Sequence, residues 1–155
     1  MEYKITFATM NELDSWMELV RSVSWNFPGL ETEDKLDEYK NTVIKNINRR
    51  SAICAVSETN VIGILLFSTM YNMLCCMAVH PDYRKLGIAK RMIKEMMSQL
   101  DKSKDIIVDT FRHEDPKGIA PRALYLSLGF EPAELIDFHG YPHQRFILQA
   151  KKYSL

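Results

Sequence analysis

The sequence predicts a single α/β layered domain with a mixed sheet, and three observations carry that expectation. Its 155 residues suffice for one hydrophobic core and fall short of two. Apolar runs of strand length alternate with segments whose apolar residues recur at helical spacing. The resulting order is strand, two helices, three strands, helix, strand, helix, two strands, which suits helices layered on a sheet. No linker, repeat or low-complexity stretch interrupts residues 1–155, so one domain is expected.

Taken in order, Ile5 to Ala8 reads as the first strand. Asn11 is a cap for a helix whose stripe is Leu13, Trp16, Met17 and Val20. Asn26-Phe27-Pro28-Gly29 breaks the chain, and Thr32 caps a second helix carrying Leu36, Tyr39, Val43 and Ile47 on one face. Strands Ala52–Ser57 and Val61–Thr69 flank a tight Glu58-Thr59-Asn60 connection. The near-continuous apolar run Met73–Val79 reads as a central strand buried on both faces. From Ile88 a clear amphipathic helix runs to Leu100, with Ile88, Met92, Met96 and Leu100 in one row. Ile106–Phe111 is the next strand, followed by a helix that Pro121 can start and Gly129 can end. Leu135–Phe138 and Arg145–Leu148 close the fold around a Gly140-Tyr141-Pro142 turn.

Twenty basic and twenty acidic residues give zero formal net charge, which argues against nucleic acid or an anionic membrane as partner. Any anion site must then be local. Neither a signal peptide nor a membrane-spanning run is read in the sequence, so a cytoplasmic location is expected. Cys54, Cys75 and Cys76 read as reduced core thiols, the adjacent pair pointing to opposite faces of a strand. His80, His113, His139 and His143 lack the paired spacing of a metal site, so no metal is expected.

One segment departs from ordinary helix chemistry. The start of the helix at Ile88 is flanked by Arg84, Lys85, Lys90 and Arg91, and no acid occurs between Asp82 and Glu95. Helix starts expose unpaired N–H groups and favour anions, so cations there are locally unfavourable by about 0.3–1 kcal/mol each. A polyanionic ligand reverses that sign. Gly87 permits a positive φ or close backbone approach, and Ala89 leaves the first turn uncluttered. The plainer alternative is a strand–helix turn with basic residues on a solvated face. A nucleotide P-loop and a dinucleotide fingerprint are both excluded, because their additional glycines are missing.

Val79-His80-Pro81-Asp82-Tyr83-Arg84-Lys85-Leu86-Gly87-Ile88-Ala89 and Leu124-Tyr125-Leu126-Ser127-Leu128-Gly129-Phe130 together resemble the two signatures of the GNAT superfamily of acyl-CoA N-acyltransferases. The first matches a strand followed by Arg/Gln-x-x-Gly-x-Gly/Ala and a helix; the second matches Leu-Tyr-x-x-Leu-Gly-Phe. The resemblance implies a mixed, mostly antiparallel sheet of about six to seven strands, splayed at the cofactor-binding strand. It implies an acetyl-CoA-dependent N-acetyltransferase acting by direct attack of a primary amine on the thioester. The acceptor is a small-molecule or peptide amine, and a homodimer is a candidate assembly. The chain departs from many relatives in having Gly118 where they carry Asn, and Pro121 where Ala is common.

Residue by residue, the resemblance implies that Met77, Ala78 and Val79 line the pantetheine arm through backbone groups. Leu86, Gly87, Ile88 and Ala89 would present N–H groups to the pyrophosphate, with Arg84, Lys85 and Lys90 adding charge. Tyr125 would protonate the departing thiolate; a phenol of pKa about 10 and a thiol of about 8.5 make the transfer feasible in direction. The plainer alternative is a core tyrosine. For the acceptor the candidates are Trp25, Asn26 and Phe27 in one loop, Asp137, His139 and Tyr141 in the last hairpin, and Asp109 on the strand after the cofactor helix, against an alternative of simple edge packing. Asp109, His113, Glu114 and Glu31 are polar residues considered for the base, with none singled out. A catalytically silent acyl-CoA-binding sensor is the competing function.

Overall fold

A computed structural model describes residues 2–153, apart from the side chains of Asn26, Lys152 and Tyr153. Seven strands are joined in the order β1-β2-β3-β4-β5-β7-β6. They are β1 (Lys4–Phe7), β2 (Ala52–Ser57), β3 (Asn60–Ser68), β4 (Met73–Val79), β5 (Ile106–Phe111), β6 (Glu131–Phe138) and β7 (Tyr141–Leu148). The helices are α1 (Leu13–Val23), α2 (Glu33–Asn48), α3 (Ile88–Met97), α4 (Ile119–Ser127) and the short α5 (Ala150–Tyr153). β4 and β5 pair in parallel, whereas β1–β2, β2–β3, β5–β7 and β6–β7 are antiparallel. The sheet is therefore mixed and mostly antiparallel. Two compact units are distinguished: Met1–Phe67 with Cys76–Gln99, and Ser68–Cys75 with Leu100–Leu155.

In the first unit β2 and β3 are buried on both faces. Ala52, Cys54, Val56, Ile64 and Leu66 pack with the stripes of α1 and α2, including Trp16 and Val43, both fully buried. On the opposite face α3 lies against the strands through Ile88 and Met92. A Cβ on Gly63 would come within 3.0 Å of Ile88 Cγ2 and 3.2 Å of Met92 Cε, so the absent side chain sets how closely α3 approaches. Ile88, Met92 and Met96 of the row read in the sequence are buried in α3 with Ile93 beside them, but the helix ends at Met97, before Leu100.

The first helix is capped differently from the expectation. Thr9, not Asn11, is the cap: its Oγ1 accepts from the Asn11 N–H at 3.2 Å, and Glu12 Oε1 accepts from the Thr9 N–H at 2.7 Å. A 3-10 turn at Met10–Glu12 then leads into α1. Thr32 does cap α2, accepting from the Lys35 N–H at 3.2 Å.

In the second unit Val108, Tyr125, Phe130 and Phe146 are buried together with Ile106 and Leu148. Asn72, at φ +51 and buried, donates from Nδ2 to the carbonyls of Asp101, Lys104 and Asp105 and fixes the loop before β5. α4 starts two residues before Pro121, because Asp115 caps a preceding turn that has Pro116 at its first position. Its other end is a full Schellman stop, with Phe130 N–H on Tyr125 C=O and Gly129 N–H on Leu126 C=O. Gly129 at φ +95 supplies the left-handed residue. The hairpin turn is His139-Gly140, both at positive φ as a type I′ turn requires, so Tyr141 and Pro142 belong to β7.

β4 corrects a further expectation. It holds a central place in strand order, yet only Leu74 is buried; Cys75 is exposed and the other residues are half-buried. Its register with β5 consists of Met73↔Ile107 and Leu74↔Val108. Of the three cysteines only Cys54 is therefore a core thiol, and burial pushes its pKa up to about 12.

Candidate functional site

The turn between β4 and α3 is built in three steps. His80 continues the strand pairing, its N–H donating to Ile62 C=O at 2.8 Å. His80 Nδ1 then accepts from the Asp82 N–H at 3.1 Å and starts a 3-10 turn at Pro81–Tyr83. Beyond extended Arg84, both Lys85 (φ +64) and Gly87 (φ +80) adopt left-handed conformations that aim the chain into α3. A Cβ at Gly87 would meet nothing within 4 Å, so the glycine answers the backbone angle rather than crowding.

Gly87 gives α3 no side-chain cap, and the first helical bond is Arg91 N–H to Gly87 C=O at 3.1 Å. The N–H groups of Ile88, Ala89 and Lys90 therefore precede the helical ladder. No acid stands in the first turn, and Arg84, Lys85 and Lys90 are exposed. Tyr3 steadies the turn: its hydroxyl donates to Leu86 C=O at 3.3 Å, and its ring lies 4.9 Å from the Arg91 guanidinium carbon. The Val79 carbonyl accepts from Arg84 Nε at 3.4 Å.

Tyr125 lies in α4 of the second unit and is 5% exposed, with its ring 5.7 Å from Phe130 and 6.2 Å from Phe146. The Leu-Gly-Phe part of its signature is the helix stop described above, in which Phe130 and Tyr125 meet both by backbone and by ring. Gly118 has no room for a larger residue: a Cβ there would lie 3.0 Å from Phe111 Cβ and 3.2 Å from Arg112 C=O. The buried Arg122 fills the space beside it and donates from Nη1 to Phe111 C=O and Gln144 Oε1.

The acceptor candidates belong to different units. Trp25 is 71% exposed and Phe27 half-buried, both in the first unit. In the second, Asp109 is engaged by Arg145 in a bidentate pair at 2.9 and 3.2 Å, which raises the arginine pKa. Tyr141 donates to Asp115 Oδ2 at 2.7 Å, a bond that raises the phenol pKa. His139 is exposed and meets Phe138 edge-on, while Asp137 lies 3.7 Å from Arg112 Nη2. His113 and Glu114 are exposed. Glu31 accepts from the Gly29 N–H and Lys35 Nζ, the backbone bond being the main reason its pKa falls to about 2.

Residues singled out only by the structure are Arg112, Asp115, Arg122 and His143. The buried His143 ring sits 5.0 Å from Phe111, 5.2 Å from Phe138 and 5.8 Å from Tyr141. The Phe111↔His143 register of β5 and β7 places both rings on one sheet face, a pairing that the sequence alone does not display. Among the described residues, no group of three or more His, Cys, Asp or Glu is placed to hold a metal, and no helix is long and apolar enough to cross a membrane.

A family model described as the acetyltransferase (GNAT) domain matches residues 48–132, a span that includes the β4–α3 turn and Tyr125. The chain belongs to the GNAT acetyltransferase family. Comparison with curated protein sequences found no match. Among solved structures, a GNAT-family acetyltransferase from Bacillus cereus is similar at 18% identity and a TM-score of 0.75, over 96% of this chain and 98% of that one. The PaiA N-acetyltransferase of Thermoplasma acidophilum, in complex with coenzyme A, is similar at 17% identity and 0.69, over 96% and 99%. A chain of the NatC complex bound to Gag peptide and CoA is similar at 16% and 0.72, over 96% and 99%. These likenesses show the fold, and family membership supports acyl transfer from an acyl-CoA.

Proposed function

We propose that this GNAT protein is an acetyl-CoA-dependent N-acetyltransferase whose acceptor is a primary amine of a small molecule or peptide. The observation that carries the reading is the start of α3: left-handed Lys85 and Gly87, no cap, no acid, and cations on either side. The pyrophosphate is taken by the N–H groups from Leu86 to Ala89, with Arg84, Lys85 and Lys90 balancing its charge. Backbone groups of Met77 and Val79, with Ala78 between them, pair with the pantetheine arm. The PaiA and NatC structures carry coenzyme A in their own complexes, which supports the same class of donor here.

The amine attacks the thioester carbonyl directly, the C–N bond forms, and the C–S electron pair leaves on sulfur. Tyr125 donates the proton to that thiolate. Trp25, Phe27, Asp109, His139 and Tyr141 remain the acceptor-side assignments of this reading, with Asp109 serving through its arginine partner. The protein carrying the reaction is assigned to the cytoplasm, needs no metal, and either works alone or as a homodimer.

A silent acyl-CoA-binding module is the second reading, favoured by one observation: Glu31 and Asp109 are both already engaged by cations. Thiol release from acetyl-CoA across a panel of amines and lysine-containing peptides separates the two. Turnover with any acceptor supports the enzyme, whereas tight binding without release supports the module. Tyr125→Phe is expected to lower kcat by ~10²-fold or more while leaving acetyl-CoA affinity within about twofold. Equal loss of both would mark Tyr125 as a packing residue.

A further inference from the structure

The aromatic group at the hairpin end of β5 and β7 encloses a histidine whose two ring nitrogens are in different surroundings. His143 Nδ1 lies 3.0 Å from Pro142 C=O and 3.3 Å from Tyr141 C=O. Carbonyls only accept, so Nδ1 carries the hydrogen and Nε2 of the neutral ring carries the lone pair. Nε2 has no hydrogen-bond partner among the described residues. Among the described residues no buried side-chain nitrogen or oxygen lacks one, so Nε2 lies where solvent reaches it although the residue is 5% exposed.

The surroundings suit an alkylammonium. Phe111, Phe138 and Tyr141 present rings within 5.0–5.8 Å of the imidazole. The protein's own ammonium already uses this chemistry: Lys117 Nζ lies 5.4 Å from the Tyr141 ring centroid, and the Asp115 carboxylate holds the Tyr141 hydroxyl. The charges about the ring are those of Asp115, Lys117, Arg112 and Asp137, with His139 at the turn. Arg112 holds the hairpin from behind, donating from Nε to His143 C=O at 3.0 Å and from Nη2 to Ile136 C=O at 3.1 Å.

We propose that this aromatic group binds the acceptor as a primary alkylammonium and that His143 Nε2 is the base that deprotonates it. The inference rests on the acyl-transfer reading above and supplies the base that reading lacks. The ammonium gives one proton to Nε2, forming an imidazolium, and the neutral amine attacks. Its second proton replaces the one delivered to the CoA thiolate, and the imidazolium returns its proton to solvent.

Two variants separate a base from a structural histidine. In His143→Asn the side-chain amide can keep the bond to Pro142 C=O while removing Nε2. In His143→Gln an oxygen or amide sits near the Nε2 position and the Nδ1 bond is lost. With any acceptor that the wild type turns over, both variants are expected to bind acetyl-CoA as the wild type does and to lose ~10²-fold or more in kcat/KM at neutral pH. Their rates should then climb about tenfold per pH unit toward the amine pKa of about 10, where the wild-type profile has levelled. An Asn variant with wild-type rate and profile overturns the proposal. A readout independent of turnover is the 15N resonance of His143 Nε2 in wild-type protein titrated with n-butylammonium chloride. It should move with that probe and far less with butyltrimethylammonium, which has no N–H to donate. An unmoved Nε2 in protein that binds acetyl-CoA overturns this proposal alone, whereas wild-type protein that fails to bind acetyl-CoA overturns the acyl-transfer reading.

Discussion

The starts of α2 and α3 are the same structural element given opposite chemistry. At α2, Thr32 caps the helix and Glu33 and Asp34 stand in the first turn, so its exposed N–H groups and partial positive charge are answered from within the chain. At α3, Gly87 offers no cap, the first turn holds no acid, and Lys90 and Arg91 add like charge. One helix start is finished, and in the proposed function the other takes an external anion. On that reading the phosphate site is defined as much by what is withheld as by the glycine.

The largest expected effect comes from closing the open start with a charge. Gly87→Glu places a carboxylate at the phosphate position, where like charges about 4 Å apart in a surface environment cost about 4 kcal/mol. Calorimetry should show acetyl-CoA affinity falling by ~10²–10³-fold. Gly87→Ala is the control, because it shares the strain at φ +80 without the charge. Equal affinity losses in the two variants would assign the effect to the backbone and sink the electrostatic account.

Lys90→Glu sharpens the contrast by making α3 resemble α2. Lys90 is exposed at the third helical position, where an acid complements the helix dipole. Thermal unfolding should show stability unchanged or raised by about 0.3–1 kcal/mol, while acetyl-CoA affinity falls about tenfold. Opposite signs are the diagnostic result; loss of both would mean that the lysine has a structural role.

Much of this contrast was legible in the chain itself, for physical reasons that also mark where legibility stopped. The stripe of α3 shows because its buried row repeats at helical spacing, and the charges at its start stand out because they oppose the usual preference. Thr32 was readable as a cap, yet at α1 Asn11 was favoured over Thr9, although Glu12 three residues after Thr9 completes a capping box. Pro121 drew the start of α4 too late because Asp115-Pro116 carries the same signal five residues earlier. β4 was misjudged for a different reason: an apolar run shows that a strand is buried somewhere, but ladder length depends on a partner remote in sequence. His143 stayed hidden for the same reason, since its aromatic neighbours come from three strands.

The capped side of the comparison predicts a moderate effect. Thr32→Ala removes the acceptor for the Lys35 N–H and should cost about 1 kcal/mol, lowering Tm by about 3 °C. Acetyl-CoA affinity should stay within twofold. A matching loss of affinity would show that α2 and the phosphate turn are coupled, and the two helix starts could no longer be treated as independent.

The smallest effect concerns the segment that leads into α2. Glu31 receives the Gly29 N–H at 2.8 Å and Lys35 Nζ at 3.1 Å, and its pKa is held at about 2 against an ordinary value of 4.5. A carboxylate with a depressed folded pKa favours the folded state above its unfolded pKa, and that contribution is lost as pH falls through the folded value. The segment should therefore stay in place from neutral pH down past 4.5 and loosen only towards pH 2. Side-chain carboxyl NMR titration of Glu31 reads this directly. Because the group is solvent-exposed, salt should shift its midpoint upward by screening Lys35, while the bond from the Gly29 N–H persists. A midpoint at the ordinary value would mean that the approach to α2 is as unfinished as the start of α3, and the contrast between the two helix starts would shrink to the caps alone.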